Sequence, residues 1–284
     1  MRRIINSVNW RINFLFTNKS LTLKERIGII SHLRPKQSGV IKRSLLKRMV
    51  NADKKYFLLK NYQIYFESDY KIENHDYFLQ GITQVIEDTY FFPHFFTKKV
   101  KLNKGDTCFD LGASIGTTSM LYAKMVGKSG KVYAVEPVVH EVLECNLREN
   151  NIQNVILIPK GVSQSKGTAE IETSDFCLDS SIAKRRYAKK YYSKKKTIEL
   201  TTIDALVDDL RLEKVDFIKM DIEGVEELAI RGAKKTINRF RPKWSISSYH
   251  IDFENQPQHS KLCSLLKQFG YEIEEKGKSY IFAY

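Results

Sequence analysis

The stretch Cys108-Phe109-Asp110-Leu111-Gly112-Ala113-Ser114-Ile115-Gly116 decides the fold: an apolar run of strand character ends in a glycine-containing turn, and a helical pattern begins at Gly116. Glycines in such a turn let a ligand approach the backbone, and the helix that follows presents unpaired N–H groups. A dinucleotide fingerprint would place glycine at 112, 114 and 117, but this chain has Gly112, Ser114 and Thr117, which disfavours NAD and FAD.

Working outward, strand 107–111, helix 116–126, strand 131–135, helix 138–149 and strand 155–159 alternate, the pattern of a parallel sheet covered by helices on both faces. Gly127 to Gly130 turns the first helix back, and Asn150, Asn151 and Asn154 close the second. Segment 168–173 reads as a short extra strand, and 174–196 as an exposed, mobile insertion. Thr201 is a capping candidate with Asp204 three residues on; strand 215–220, a helix over 225–238 and strand 244–249 follow. Leu262, Leu265, Leu266 and Phe269 give helix 259–269 a buried stripe, and strands 271–275 and 280–284 form an antiparallel hairpin around Gly277-Lys278.

Upstream, 56–72 is rich in Tyr and Phe and reads as a hairpin turning at Lys60-Asn61, with a helical segment, 81–96, leading into the main domain. Residues 1–50 read as basic helices, with Leu23, Ile27 and Ile30 on one face. The organisation expected is a basic helical extension over 1–55, a hairpin and helix over 56–100, and a catalytic domain over 101–284 carrying the insertion 174–196.

With 284 residues, 42% hydrophobic and 28% charged, the chain supports a sizeable core, which excludes a fibrous repeat or a wholly disordered protein. The net charge of +14 is uneven: residues 1–50 carry twelve Lys or Arg against Glu25 alone, and residues 181–196 carry eight against none. Two basic patches on a mildly acidic body suit phosphate-bearing partners. The start lacks a continuous apolar h-region, no run approaches the roughly 18 apolar residues of a membrane span, and Cys108, Cys145, Cys177 and Cys263 lack metal-site or disulfide spacing. The expected location is cytoplasmic or peripheral to a membrane.

The second strand, Val132 to Val135, ends in Glu136-Pro137. A carboxylate there can take a bidentate pair of hydrogen bonds from vicinal ribose hydroxyls. Asp110 could organise the loop or receive an ammonium group, which a methionine-bearing cofactor has and a nicotinamide nucleotide lacks. Ligands of open parallel sheets collect outside the carboxyl ends of the strands, so Asp221 and Glu223, and His250 from the next strand, are expected at the same crevice. They could act on an acceptor hydroxyl, His250 taking the proton, or could ligate a divalent cation. Lys219, inside an apolar strand, is expected to reach a carboxylate.

Three segments, 104–119 (KGDTCFDLGASIGTTS), 130–137 (GKVYAVEP) and 217–233 (FIKMDIEGVEELAIRGA), resemble the FkbM family of S-adenosylmethionine (SAM)-dependent methyltransferases, of the class I Rossmann-like type. The similarity extends over about residues 75–275. It implies a class I methyltransferase fold, with Asp110, Gly112, Ala113, Ser114 and Gly116 as the cofactor loop and Glu136 on the ribose. Ser114 stands where the family usually has Asn. Adenine contacts are to be sought at Lys160 to Ser163, and Glu87 matches an acid that recurs upstream of the loop. The activity implied is O-methylation of a hydroxyl of a sugar, glycolipid or related small metabolite.

Two other functions compete. The basic runs suit an RNA methyltransferase; against it, the strand end carries Asp-Ile-Glu-Gly rather than the Asp/Asn/Ser-Pro-Pro-aromatic motif of amine methylation, and no Pro-Cys nucleophile occurs. A non-catalytic binding protein is the third reading. Residues 1–50, through Trp10, Phe14, Leu15 and Phe16, are expected to touch a membrane surface or partner subunit. Residues 181–196 are expected to rim the acceptor site, with Lys194, Lys195 and Lys196 holding an anionic acceptor.

Overall fold

The computed structural model describes residues 96–174, 180–181, 192–252 and 254–284, with three short strands upstream, β1 (Val50–Asn51), β2 (Tyr56–Leu59) and β3 (Tyr62–Tyr65). The expected basic helices, the expected 81–96 helix up to residue 95, with Glu87, and residues 175–179 and 182–191 of the insertion lie outside the described residues. The expected hairpin corresponds to β2 and β3, which pair antiparallel with Leu59 opposite Tyr62 across Lys60-Asn61.

Downstream, the chain follows the order β4 (Thr107–Leu111), α1 (Thr117–Val126), β5 (Lys131–Val135), α2 (His140–Glu149) and β6 (Val155–Ile158). After an intervening sheet come α3 (Ile203–Asp209), β11 (Phe217–Met220), α4 (Glu226–Arg231), α5 (Lys234–Phe240), β12 (Lys243–Ser247), α6 (His259–Gln268), β13 (Ile273–Lys276) and β14 (Tyr280–Ala283). The main sheet has the order β6-β5-β4-β11-β12-β14-β13. It is parallel from β6 to β12, and the closing hairpin lies antiparallel against β12. This mostly parallel sheet with a C-terminal antiparallel hairpin is the class I Rossmann-like methyltransferase architecture.

All five residues of β4 are buried, as a central parallel strand requires. Its alternation divides the core. Phe109 and Leu111 join Ile218, Met220, Trp244 and Ile246 on one face, while Cys108 packs with Tyr122, Val132, Phe217 and Phe282 on the other. Asp110 shares a side with Cys108 by the two-residue period and therefore lies beneath α1.

The insertion differs from expectation. Residues 175–179 and 182–191 lie outside the described residues; from Tyr192 the chain forms β10 (Tyr192–Thr201), antiparallel to β8 (Gly167–Ser174) in a second sheet with β7 (Gly161–Val162) and β9 (Ser180–Ser181). The lysine run hid a strand because Lys195 is accommodated at the surface against Glu170 at 2.6 Å, while Ile171 and Ile198 are buried on the opposite side of the alternation.

Two local expectations are also corrected. Thr202, not Thr201, caps α3, its hydroxyl accepting from the Ala205 amide at 2.9 Å, and Asp204 instead caps the start of α5, accepting from the amides of Lys235 and Thr236. The single helix expected over 225–238 is two helices. Gly232 ends α4 where a Cβ would lie 2.3 Å from the Ser163 carbonyl, so the backbones approach too closely for a side chain. Strand β12 ends at Ser247, which leaves residues 248–250 outside the ladder.

Candidate active site

The carboxyl ends of β4, β5, β11 and β12 converge on one edge of the main sheet. At β4, Gly112 has φ 74°, and a Cβ there would lie 1.9 Å from the Asp221 carbonyl oxygen. Only glycine fits, and the loop lies directly against the end of β11. Ser114 (φ 51°) and Gly116 (φ 90°) also occupy the left-handed region, which carries the chain sharply into α1. Asn is favoured at such a position, and Ser114 takes it with a small polar side chain. Its Oγ is buried with no hydrogen-bond partner among the described residues.

Asp110 is fully buried. Its Oδ2 accepts from Ser119 Oγ at 2.6 Å and its Oδ1 lies 3.0 Å from Lys219 Nζ. Lys219 also donates to the Gly112 carbonyl at 2.9 Å, so the expected partner of this lysine is Asp110 and the pair ties the loop to β11. Of the two roles expected for Asp110, the geometry supports loop organisation, since no part of it is exposed to meet an ammonium group.

Glu136 is 7% exposed, and its oxygens accept from the amides of Ser114 (2.9 Å), Val138 (2.8 Å) and Val139 (3.3 Å). Burial raises its carboxyl above the ordinary range, an effect these amides and the Lys219 charge partly offset. A carboxylate has about four acceptor positions. Three are in use, so a bidentate clasp of two ribose hydroxyls requires the long Val139 bond to yield. Lys196, expected at the acceptor rim, donates instead to the Val138 carbonyl at 2.9 Å and braces the loop after Glu136. Lys160 to Ser163 fall on and around β7, with Lys160 paired to Glu199 at 3.0 Å.

The second group of expected residues meets. His250 is 6% exposed, and its Nε2 lies 3.3 Å from Asp221 Oδ1 and 3.4 Å from Glu223 Oε2. Glu223 is held at φ 60°, an uncommon conformation for a non-glycine residue, directly before Gly224 at φ 108°. The segment bearing His250 is anchored through Ser248, whose Oγ is 2.7 Å from His259 Nδ1, and His259 Nε2 is 2.6 Å from Glu275.

Sequence reasoning missed Glu226. It occupies the first turn of α4 but turns inward: it is fully buried, with Oε1 2.7 Å from His250 Nδ1 and Oε2 accepting from Gln258 Nε2 at 2.8 Å. Burial opposes its ionisation, but the bond to His250, that residue's charge and the donors around it outweigh this and hold its carboxyl below the ordinary value. The signal available was the spacing Asp221-Ile-Glu223-Gly-Val-Glu226; nothing pointed to Gln258. The site thus pairs a backbone cradle and a buried acid with an imidazole surrounded by three carboxylates. The first suits a polar nucleoside ligand and the second can draw a proton from a hydroxyl.

Among the described residues no helix is long and apolar enough to cross a membrane. The model of the methyltransferase FkbM domain matches residues 110–273, and that of protein-L-isoaspartate(D-aspartate) O-methyltransferase matches residues 27–167. No curated protein matches the sequence. Among solved structures, the methyltransferase FkbM from Methylobacillus flagellatus KT is 17% identical at a TM-score of 0.48, with 87% of this chain aligned to 59% of that one. Aeropyrum pernix fibrillarin in complex with natively bound SAM is 15% identical (TM-score 0.39, 64% of this chain and 66% of that one). The Methanococcus jannaschii fibrillarin pre-rRNA processing protein is 18% identical (TM-score 0.43, 69% and 74%). This chain therefore spans 59% of the length of the M. flagellatus protein. The FkbM match covers more than half of the chain and runs from Asp110 at the glycine loop through the Asp221 and His250 strand ends, and the chain belongs to the methyltransferase FkbM family.

Proposed function

We propose that this protein is a SAM-dependent O-methyltransferase acting on a hydroxyl of a carbohydrate, glycolipid or related small metabolite. The observation that carries the reading is the meeting, on one sheet edge, of the Gly112 loop with Glu136 and of the His250 cluster with Asp221, whose carbonyl backs onto Gly112. The cradle fits the cofactor: the close approach at Gly112, the unpartnered buried Ser114 Oγ and the amide-held Glu136 offer it polar contacts. Bound SAM supplies an electrophilic methyl group, whose carbon–sulfur bond breaks as the carbon–oxygen bond to the acceptor forms.

The chain's own residues do the rest. Lys219 and Asp110 hold the loop, Glu136 orients the ribose, and the cluster of Asp221, Glu223 and His250 receives the acceptor hydroxyl and takes up its proton. Asp221 and Glu223 are each 24% exposed at the side chain, which leaves the cluster open on one side. Calorimetry with SAM and NAD tests the cofactor. Micromolar SAM binding that falls in Glu136→Ala is expected, and NAD binding without SAM binding would overturn the reading. Transfer of labelled methyl from SAM to glycans, lipids and RNA in parallel tests the acceptor; label found in RNA alone would replace the carbohydrate reading with the competing one.

A further inference from the structure

We infer that Asp221, Glu223 and His250 are a three-ligand site for a divalent first-row cation, open toward the acceptor side of the crevice. The binding of the cation stands on the geometry alone; its use in catalysis rests on the methyltransferase reading above.

The inference starts from the hydrogens on His250. The Glu226 oxygens are met by donors only, the Gln258 side-chain amide at 2.8 Å and the backbone N–H groups of Gly224 at 3.1 Å and Ile222 at 3.2 Å. Glu226 therefore accepts from His250 as well, and the hydrogen of their 2.7 Å contact sits on Nδ1. That bond turns Nε2 toward Asp221 Oδ1 and Glu223 Oε2. Nε2 and the two carboxylate oxygens thus face one another, one nitrogen and two oxygen donors of the kind that hold a cation.

The distances fit a metal ion among these donors. A charge-assisted N–H···O bond is about 2.7–2.9 Å long. The contacts of Nε2 are 3.3 and 3.4 Å, and the three ligand atoms lie within 4.8 Å of one another. Metal–nitrogen and metal–oxygen bonds of about 2.0–2.2 Å set neighbouring ligands roughly 3.0–3.5 Å apart, as Nε2 stands from each carboxylate oxygen. The surroundings agree. A ligating histidine ordinarily donates its other ring N–H to a carboxylate, as His250 does to the buried Glu226. Glu223 is held in the left-handed region (φ 60°). One imidazole with two carboxylates is a mixed donor set, which favours Mn²⁺ or its first-row neighbours over Mg²⁺. Asp221 and Glu223 are each 24% exposed at the side chain, so an acceptor oxygen can reach a cation held there from solvent. A hydroxyl bound there loses its proton more readily, to a carboxylate oxygen and then to water, and the oxygen left behind is the nucleophile.

Titration of chelator-treated protein with MnCl₂, followed by calorimetry and electron paramagnetic resonance, tests the site. One saturable equivalent of Mn²⁺ with nitrogen coupling from the imidazole is expected, binding more tightly than Mg²⁺. Asp221→Asn, Glu223→Gln and His250→Ala should each weaken binding at least tenfold, with the nitrogen coupling lost in His250→Ala. Glu226→Gln should weaken it about 10–100-fold, as a positioning residue does. Glu170→Gln, whose exposed carboxylate pairs with Lys195 in the second sheet, should leave it unchanged. Absence of saturable binding, or binding that survives Glu223→Gln and His250→Ala in variants that melt cooperatively, would overturn the inference. SAM binding measured on the same samples keeps the two readings apart. SAM binding without Mn²⁺ binding removes the cation alone, whereas Mn²⁺ binding without SAM binding upholds the cation site and removes the methyltransferase reading.

Discussion

Lys219 Nζ lies 3.0 Å from Asp110 Oδ1, with the two side chains 3% and 0% exposed, on residues that face each other in the register of β4 and β11. Removing one member of such a pair strands the other's charge. Lys219→Met is expected to cost about 3–5 kcal/mol in urea unfolding. Lys219→Met combined with Asp110→Leu should recover part of that stability, because no buried charge is left, but not SAM binding, because the Gly112 carbonyl has lost its anchor. A single variant as stable as wild type would show that the pair does not hold the loop.

Gly112→Ala is expected to abolish SAM binding and lower Tm, since a Cβ there meets the Asp221 carbonyl at 1.9 Å on a backbone at φ 74°. Gly167→Ala is the control, with nothing within 4 Å of the added carbon, and should change neither. Thermal melts with and without SAM compare the two.

Burial raises the Glu136 carboxyl in the folded state. A group so raised contributes stability that is present below its unfolded value and is lost as pH rises through the folded one. From about pH 4 toward neutrality, wild type should therefore lose stability relative to Glu136→Gln, while the variant binds SAM more weakly throughout. Melting curves across that range check the sign; a Tm difference that does not move toward the variant with rising pH contradicts it.

The two lysines of β10 should behave differently. Lys196 reaches the Val138 carbonyl beside Glu136, whereas Lys195 pairs with exposed Glu170. Lys196→Ala should weaken SAM binding several-fold and Lys195→Ala should not, since an exposed ion pair is screened by solvent and holds nothing near the cofactor loop. Equal effects in calorimetry would place both lysines at the surface in function as well.

Asp221→Asn and His250→Ala should each lower kcat by about 10²-fold or more, with SAM affinity retained, if the cluster acts on the acceptor hydroxyl. Single-turnover kinetics on an identified acceptor measures this. Near-wild-type turnover in both would remove the cluster from the chemistry.

The alternation of apolar strands with helical segments determined the parallel sheet by itself, because a strand buried on both faces must be apolar throughout and each helix must show one apolar stripe. The turn at Gly112 and the acids at the strand ends were legible for a related reason: backbone conformation and strand polarity are local properties, and ligands gather at the carboxyl ends. Local pattern failed where a distant partner decides the outcome. The run of Lys194, Lys195 and Lys196 reads as loop until Glu170 accepts from Lys195 and the Val138 carbonyl from Lys196, and the helix after Val225 breaks at Gly232 because Ser163 lies against it. Tertiary structure alone turned Glu226 inward to His250, brought Asp221, Glu223 and that imidazole within reach of one another, and bound Lys219 to Asp110. Spacing along a chain says which residues share a strand end or a helix face. The direction in which a carboxylate there points depends on what is packed around it, since a buried charge persists only where partners from other strands and helices meet it.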